Sequence, residues 1–213
     1  MAASAFGWIS EITDRLDDWS SHWWFIAIIL AVAYLDSIFP VVPSETAVII
    51  GGVAAGQGNQ NLAIVIGAGA LGAFLGDTSA YLVGARLRGF VERHAARRAT
   101  WQARLDWAKR QIRTRGGPLL ITARFIPGGR TALTVSSGIT HQRFTWFVRW
   151  ILLAVVLWAS YAGVLGYVFG NTFKDDHTKA FVIAFVAALS ITIVIEVVRH
   201  LRGRRAQAPS SPA

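Results

Sequence analysis

The sequence predicts an all-helical integral membrane protein, and three observations predict it. Of its 213 residues, 54% are hydrophobic, above the roughly 45 to 50% apolar share of soluble domains, and the mean hydropathy is +0.44. Trp23 to Val42, Leu62 to Gly84, Trp146 to Gly170 and Ala180 to Val198 each approach or exceed the roughly 18 to 20 residues that cross hydrocarbon. Between them lie two shorter apolar segments, each interrupted by proline and glycine. The expected architecture is therefore about four spanning helices, two re-entrant helical hairpins of opposite orientation forming an inverted repeat, and an amphipathic helix ahead of the first span.

That leading helix is read from Phe6, Ile9, Ile12, Leu16 and Trp19, which recur at three- to four-residue steps with acids between them. Residues 1–22 should lie at the interface as an anchor. Glu11, Asp14, Asp17 and Asp18 also argue against a cleavable signal, which needs a basic leader and an uninterrupted apolar core.

The first span, from Trp23, runs into Pro40 and Pro43, which remove backbone donors and force the chain off helical geometry. Ser44 is a suitable N-cap for a new short helix from Glu45 to about Ala55. Gly56, Gly58, Asn59 and Gln60 then allow a turn back, so this segment is expected to enter the membrane without crossing it. The second span is Leu62 to Gly84.

Between Arg86 and Arg115 lie ten bases against two acids, Glu92 and Asp106. This connecting loop, 86–115, is expected in the cytoplasm. From Pro118 to Ile126 the chain is again apolar, breaks at Pro127, Gly128 and Gly129, resumes from Thr131, and leaves through Gly138 and His141 to Arg143. The last two spans follow, and then Arg199, Arg202, Arg204 and Arg205 in a basic tail, 199–213, that is expected to be disordered. Positive-inside bias puts that tail in the cytoplasm. Counting spans backwards, the second break opens from the cytoplasm and the first from outside, and the N-terminus is cytoplasmic. Paired broken segments of this kind are the sequence pointer to a midplane binding site in secondary transporters.

Inside the apolar stretches sit Asp36, Glu45, Asp77, Arg124, Arg130, Arg149 and Glu196. A charge at mid-bilayer costs at least about 2.5 to 3.5 kcal/mol, so partners or a wet cavity are expected. Arg149 near a span end and Glu196 one turn from Arg199 are explained by snorkelling or a local pair. Glu45 and Arg130 lie at the two breaks, and Arg124 lies on the other arm of the second. Two guanidiniums there can hold an anionic headgroup, since each presents a fork of donors matched to phosphate. Asp77 has Tyr81, Gly84 and Arg88 on its own helix face, which is expected to look into the same site. Glu45, Asp36 and Asp77 are the candidates to carry protons.

Asp36, Phe39-Pro40 and Pro43-Ser44-Glu45, then Gly76 with Tyr81 and Gly84, then Arg124 through Arg130 with Ser137-Gly138, resemble the DedA family of membrane proteins, also called the VTT or SNARE-associated domain family. The match covers about Trp23 to Gly170. The resemblance implies two opposed re-entrant hairpins, residence in a bacterial inner membrane, and transport of lipids, notably undecaprenyl phosphate, with proton coupling. It implies essential roles for Glu45, Arg124 and Arg130, and less directly for Asp36 and Asp77. One departure is Ser136, where members often have proline; it implies a less sharply bent second hairpin.

The function expected is a lipid-phosphate flippase: Arg124 and Arg130 bind phosphate, and Glu45 with Asp36 or Asp77 carries the proton. A phospholipid scramblase and a proton-coupled small-ion exchanger are the alternatives. An enzyme is not expected, because His22, His94, His141, His177 and His200 all lie in loops or at span ends and no Gly-x-Ser-Gly is present. No metal or cofactor is expected, and with no cysteine thiolate sites are excluded. Membrane lipids and protons are the expected partners, nucleic acid is not, and self-association is left open.

Overall fold

The computed structural model describes residues 22–39, 44–125, 129–173, 181–187 and 190. All secondary structure among them is helical. The expected N-terminal amphipathic helix, Pro40, Pro43, Pro127, Gly128, Glu196 and the tail from Arg199 lie outside the described residues, as does most of the fourth apolar stretch.

Helix α1, Trp24–Ile38, ends where Phe39 turns extended, at φ −115° and ψ 95°. The residue before a proline is pushed out of the helical region, and Pro40 follows. Helix α2, Ser44–Gly56, is apolar apart from its first turn. It closes through Gly58 at φ +92°, a conformation that favours glycine. Asn61 then caps the next helix, its side-chain oxygen accepting from the N–H groups of Ala63 at 2.9 Å and Ile64 at 3.4 Å.

Helix α3, Leu62–Ala95, has 34 residues and is about 51 Å long at 1.5 Å per residue, well beyond the roughly 30 Å hydrocarbon core. Helix α4, Ala99–Thr122, follows after a three-residue link. The basic segment 86–115 is thus helical on both sides of a short corner, where a loop was expected. Arginine and lysine are good helix formers, and a high charge density does not by itself break a helix. A 3₁₀ turn, Ala123–Phe125, ends this arm of the second break. Helix α5, Gly129–Ile139, runs unbroken past Ser136 and is followed by His141 in the left-handed region at φ 59°. Helix α6, Phe144–Thr172, is the second long apolar helix, and it and α3 are each long and apolar enough to cross a membrane.

The packing exchanges partners between the two halves of the chain. The short helix α2 lies along α6, and the short helix α5 lies along α3, while α1 also packs on α3 and α4 on α6. Glycines make the two short-on-long seams possible. A Cβ on Gly52 would stand 2.4 Å from the Gly163 carbonyl oxygen, and one on Gly84 would stand 2.2 Å from that of Val135. No side chain fits between these backbones.

One core gathers Phe25, Ile29, Val48, Ile49, Val65, Val155 and Trp158; a second gathers Tyr81, Leu120, Phe147 and Ile151. Phe181 and Phe185 pack against the first. The outward faces of the long helices carry large apolar side chains, among them Leu71, Leu75 and Leu82 on α3 and Leu152, Leu153, Val156 and Leu157 on α6. Continuous apolar surface of this extent needs a lipid or protein covering.

Candidate functional site

Five helical elements converge where the two short helices begin. Asp36 sits in the last turn of α1, Glu45 in the first turn of α2, Asp77 midway along α3, Arg124 in the 3₁₀ turn and Arg130 in the first turn of α5. Gly76 lets α1 approach this point, since a Cβ there would stand 2.5 Å from the Tyr34 carbonyl oxygen and from the Ser37 side chain. The approach is fixed further by Ser37, whose hydroxyl donates to the Ala73 carbonyl at 3.3 Å, and by Thr131 of α5, which donates to the Ser37 carbonyl at 3.0 Å.

Arg124 Nη1 donates to Asp77 Oδ2 at 2.6 Å, and both side chains are sealed, at 1% and 0% exposed. Arg130 Nη2 stands 3.2 Å from Asp36 Oδ2, and its Nε stands 3.6 Å from Asp77 Oδ1. Asp36 Oδ2 also accepts from the hydroxyl of Ser44. Two arginines thus meet two aspartates, so the four balance in charge. Glu45 stands near Asp36 and Tyr161. None of the salt bridges among the described residues includes it.

Local physics explains part of this arrangement. Glu45 at the start of α2 complements the partial positive end of that helix, whereas Arg130 at the start of α5 opposes it. The two aspartates beside Arg130 offset that cost. The site is nevertheless incompletely bonded: Asp77 Oδ1, Thr78 Oγ1 and Arg124 Nε and Nη2 are buried without a hydrogen-bond partner. Polar groups left so inside a protein cost about 1 to 3 kcal/mol each, and such costs mark places where a ligand or water belongs.

The structure brings together Asp36, Asp77, Arg124 and Arg130, with Glu45 alongside. It does not bring in the rest of the Asp77 face. The Tyr81 hydroxyl donates to the Gln142 carbonyl at 2.6 Å, Gly84 lies against Val135, and Arg88 donates to the Gly138 carbonyl at 2.8 and 3.3 Å. These residues seat the far end of α5, because α3 continues well past the level of the charges. Arg149 is exposed and apart. Ser44 sits within the first turn of α2 and spends its hydroxyl on Asp36, a link that the capping expectation did not include. Among the described residues no group of three or more histidines, aspartates or glutamates is spaced to hold a metal ion.

Trp158 of α6 is a site residue that sequence reasoning missed. Its ring lies under Arg124, with Cζ 5.0 Å from the ring centroid. Nothing in its apolar neighbourhood distinguishes it from the other eight tryptophans; only its juxtaposition with a buried cation does.

Several bacterial proteins are similar to this chain over most of its length. It is 22% identical to Protein DedA of Escherichia coli over 185 residues, covering 84% of each chain. It is 25% identical to Undecaprenyl phosphate transporter A of Bacillus subtilis over 164 residues, covering 73% of this chain and 82% of that protein. With Inner membrane protein YohD of Escherichia coli it shares 27% identity over 175 residues, covering 79% and 88%. No solved structure matches it. The family model for the VTT domain matches residues 42–168, a stretch that contains Glu45, Asp77, Arg124, Arg130 and Trp158. With more than half of its length inside that match, the chain belongs to the VTT-domain family, the DedA family of membrane proteins.

Proposed function

We propose that the protein is a transporter and not an enzyme: a flippase of the bacterial cytoplasmic membrane that carries an anionic lipid phosphate, undecaprenyl phosphate foremost, in a cycle coupled to protons. The observation that carries this reading is the buried cluster of two arginines and two aspartates at the junction of two short helices, with donors left over. A guanidinium is the side chain best matched to phosphate oxygens; Arg124 is sealed from water and Arg130 is largely buried, and a charge-assisted bond is strong in such surroundings. The similarity to a relative named as an undecaprenyl phosphate transporter supports the cargo.

Re-entrant geometry fits the short helices. At 13 and 11 residues, α2 and α5 are about 20 and 17 Å long, less than the roughly 30 Å of hydrocarbon. Each also lies on the long helix of the other half, as two interlocked inverted repeats would. In this reading the two hairpins open to opposite sides, and α1 and α2 are the two arms of the first, because Gln60 after α2 donates to the His22 carbonyl ahead of α1 at 3.1 Å. The chain has no cysteine, so single-cysteine variants test this directly. Asn59→Cys should react with an impermeant thiol reagent in intact cells, and Arg97→Cys only after permeabilisation; equal access for both would refute the opposed orientation.

Coupling follows from competition for the same guanidiniums. A phosphate arriving at Arg130 displaces Asp36, and a proton taken up by the displaced carboxylate offsets the loss of its partner. By linkage, protonation then favours phosphate binding to the same degree. Asp36 is the wetter of the two aspartates and has Glu45 beside it, so these two form the path by which the proton arrives. The test is binding of a short-chain polyprenyl phosphate to purified protein across pH, with Arg124→Ala, Arg130→Ala and Glu45→Gln. Loss of binding in the arginine variants, with binding retained but less dependent on pH in Glu45→Gln, supports the assignment. Proton or cation flux in liposomes without phosphate lipid would favour the ion exchanger, and lipid exchange indifferent to a proton gradient would favour the scramblase.

A further inference from the structure

The two arginines are not bonded alike, and the difference assigns them different work. The side edge of a guanidinium, formed by Nε and the terminal amine next to it, Nη2, is the edge that grips two oxygens of one anion. In Arg130 that edge is occupied, with Nη2 on Asp36 and Nε towards Asp77. In Arg124 it is vacant: Nη1 alone is engaged, on Asp77, while Nε and Nη2 are buried without a partner. The side chain is 1% exposed, so bulk water does not satisfy them.

The Arg124 guanidinium has a second support besides Asp77. Trp158, 6% exposed and fixed in the core beside Val155 and Ala159, lies 5.0 Å from Cζ, and a cation over an indole face is attracted by the ring quadrupole. One amine tethered to Asp77 and the guanidinium carbon held over the Trp158 ring leave the group little freedom to move. Resting on the lipid-phosphate reading above, we propose that Trp158 is a positioning residue that presents the side edge of Arg124 to two oxygens of a phosphate monoester headgroup. The Arg124–Asp77 pair stays intact when the headgroup binds. Arg130 is the exchangeable member, released from Asp36 as the anion enters, and it closes on the remaining oxygen. Because the edge is sealed in this conformation, the headgroup reaches it when the short helices part, and meets donors already aligned.

This division predicts that a positive charge alone at position 124 is insufficient. The experiment measures binding of farnesyl phosphate, with farnesol and phosphatidylglycerol as controls, to detergent-purified full chain carrying Arg124→Lys, Arg130→Ala, Trp158→Leu or Trp158→Phe, alongside thermal unfolding. Losing one bidentate, charge-assisted contact should weaken monoester binding by about tenfold or more in Arg124→Lys. Trp158→Leu, which keeps apolar volume but no ring face, should weaken it several-fold at a similar unfolding midpoint and erode the preference for monoester over diester. Trp158→Phe should restore most of both.

If Arg124→Lys binds as wild type while Arg130→Ala does not, the edge assignment is overturned and the lipid-phosphate reading stands. If Arg124→Lys loses binding but both Trp158 variants match wild type, the role of Trp158 is overturned. Should Trp158→Leu fail to fold, Trp158→Met serves as the ringless variant that decides the role of Trp158, and Arg124→Lys still decides the edge assignment. If wild type binds farnesyl phosphate no better than farnesol, the functional reading itself fails and the proposal with it.

Discussion

Arg124 and Asp77 form a 2.6 Å ion pair between the second chain break and the middle of α3, with neither side chain reachable by water. Removing one partner of a buried pair leaves an uncompensated charge and typically costs about 3 to 5 kcal/mol. Asp77→Ala should therefore lower the unfolding midpoint in detergent markedly, and the double change with Arg124→Ala should recover part of the loss. The Lys109–Glu92 pair, a third exposed on both sides, is the control: breaking it with Lys109→Ala should cost under about 1 kcal/mol. Equal effects at the two sites would mean that the buried pair carries no special weight.

The short-on-long seams should be intolerant of any side chain. Gly84→Val and Gly52→Val each place a branched side chain where a backbone carbonyl stands about where its Cβ must go, and should abolish monodisperse protein on size-exclusion chromatography. Gly67 and Gly89 are helical positions with nothing within 4 Å of a built Cβ. Gly67→Ala and Gly89→Ala should raise stability by about 0.4 to 1 kcal/mol each through the lost freedom of the unfolded chain. A destabilised Gly67→Ala would sink that account.

Asn61 carries the start of α3. Asn61→Ala should cost about 1 kcal/mol, and Asn61→Asp should retain most of the wild-type stability because its carboxylate can accept the same two N–H groups. Thermal unfolding of the three proteins side by side checks this.

Arg88 donates twice to the Gly138 carbonyl at the C-terminal end of α5, where a cation also meets the negative end of the helix. Arg88→Met keeps the aliphatic stem and removes the charge. It should destabilise by about 1 to 2 kcal/mol and speed hydrogen exchange at the end of α5 more than at its start. Uniform exchange along α5 would show that the anchor is elsewhere.

Much of this was legible before any coordinates. Pro40 after Phe39 marked the end of α1, Gly58 marked the turn after α2, and the four charges Asp36, Asp77, Arg124 and Arg130 stood out because charges in apolar runs need partners. Their pairing was not legible, because contacts between residues 36 and 130 or 77 and 124 depend on how the helices cross. The charge of segment 86–115 predicts which side of the membrane it lies on but not its backbone form, since arginine-rich sequence is also good helix sequence. Trp158 was invisible for the opposite reason: among apolar neighbours a tryptophan looks like core until a cation is seen resting on it.

The exchange of partners between halves restricts how the molecule can move. Since α2 rides on α6 and α5 on α3, tilting either half as a block would pull a short helix off the other half's long one. At Gly52 and Gly84 those seams put backbone against backbone with no side chain between. Sliding along such a track is cheaper than prying it apart, so the low-cost deformation is shear of the short helices by a fraction of a turn, with each track guiding the helix that the opposite half supplies.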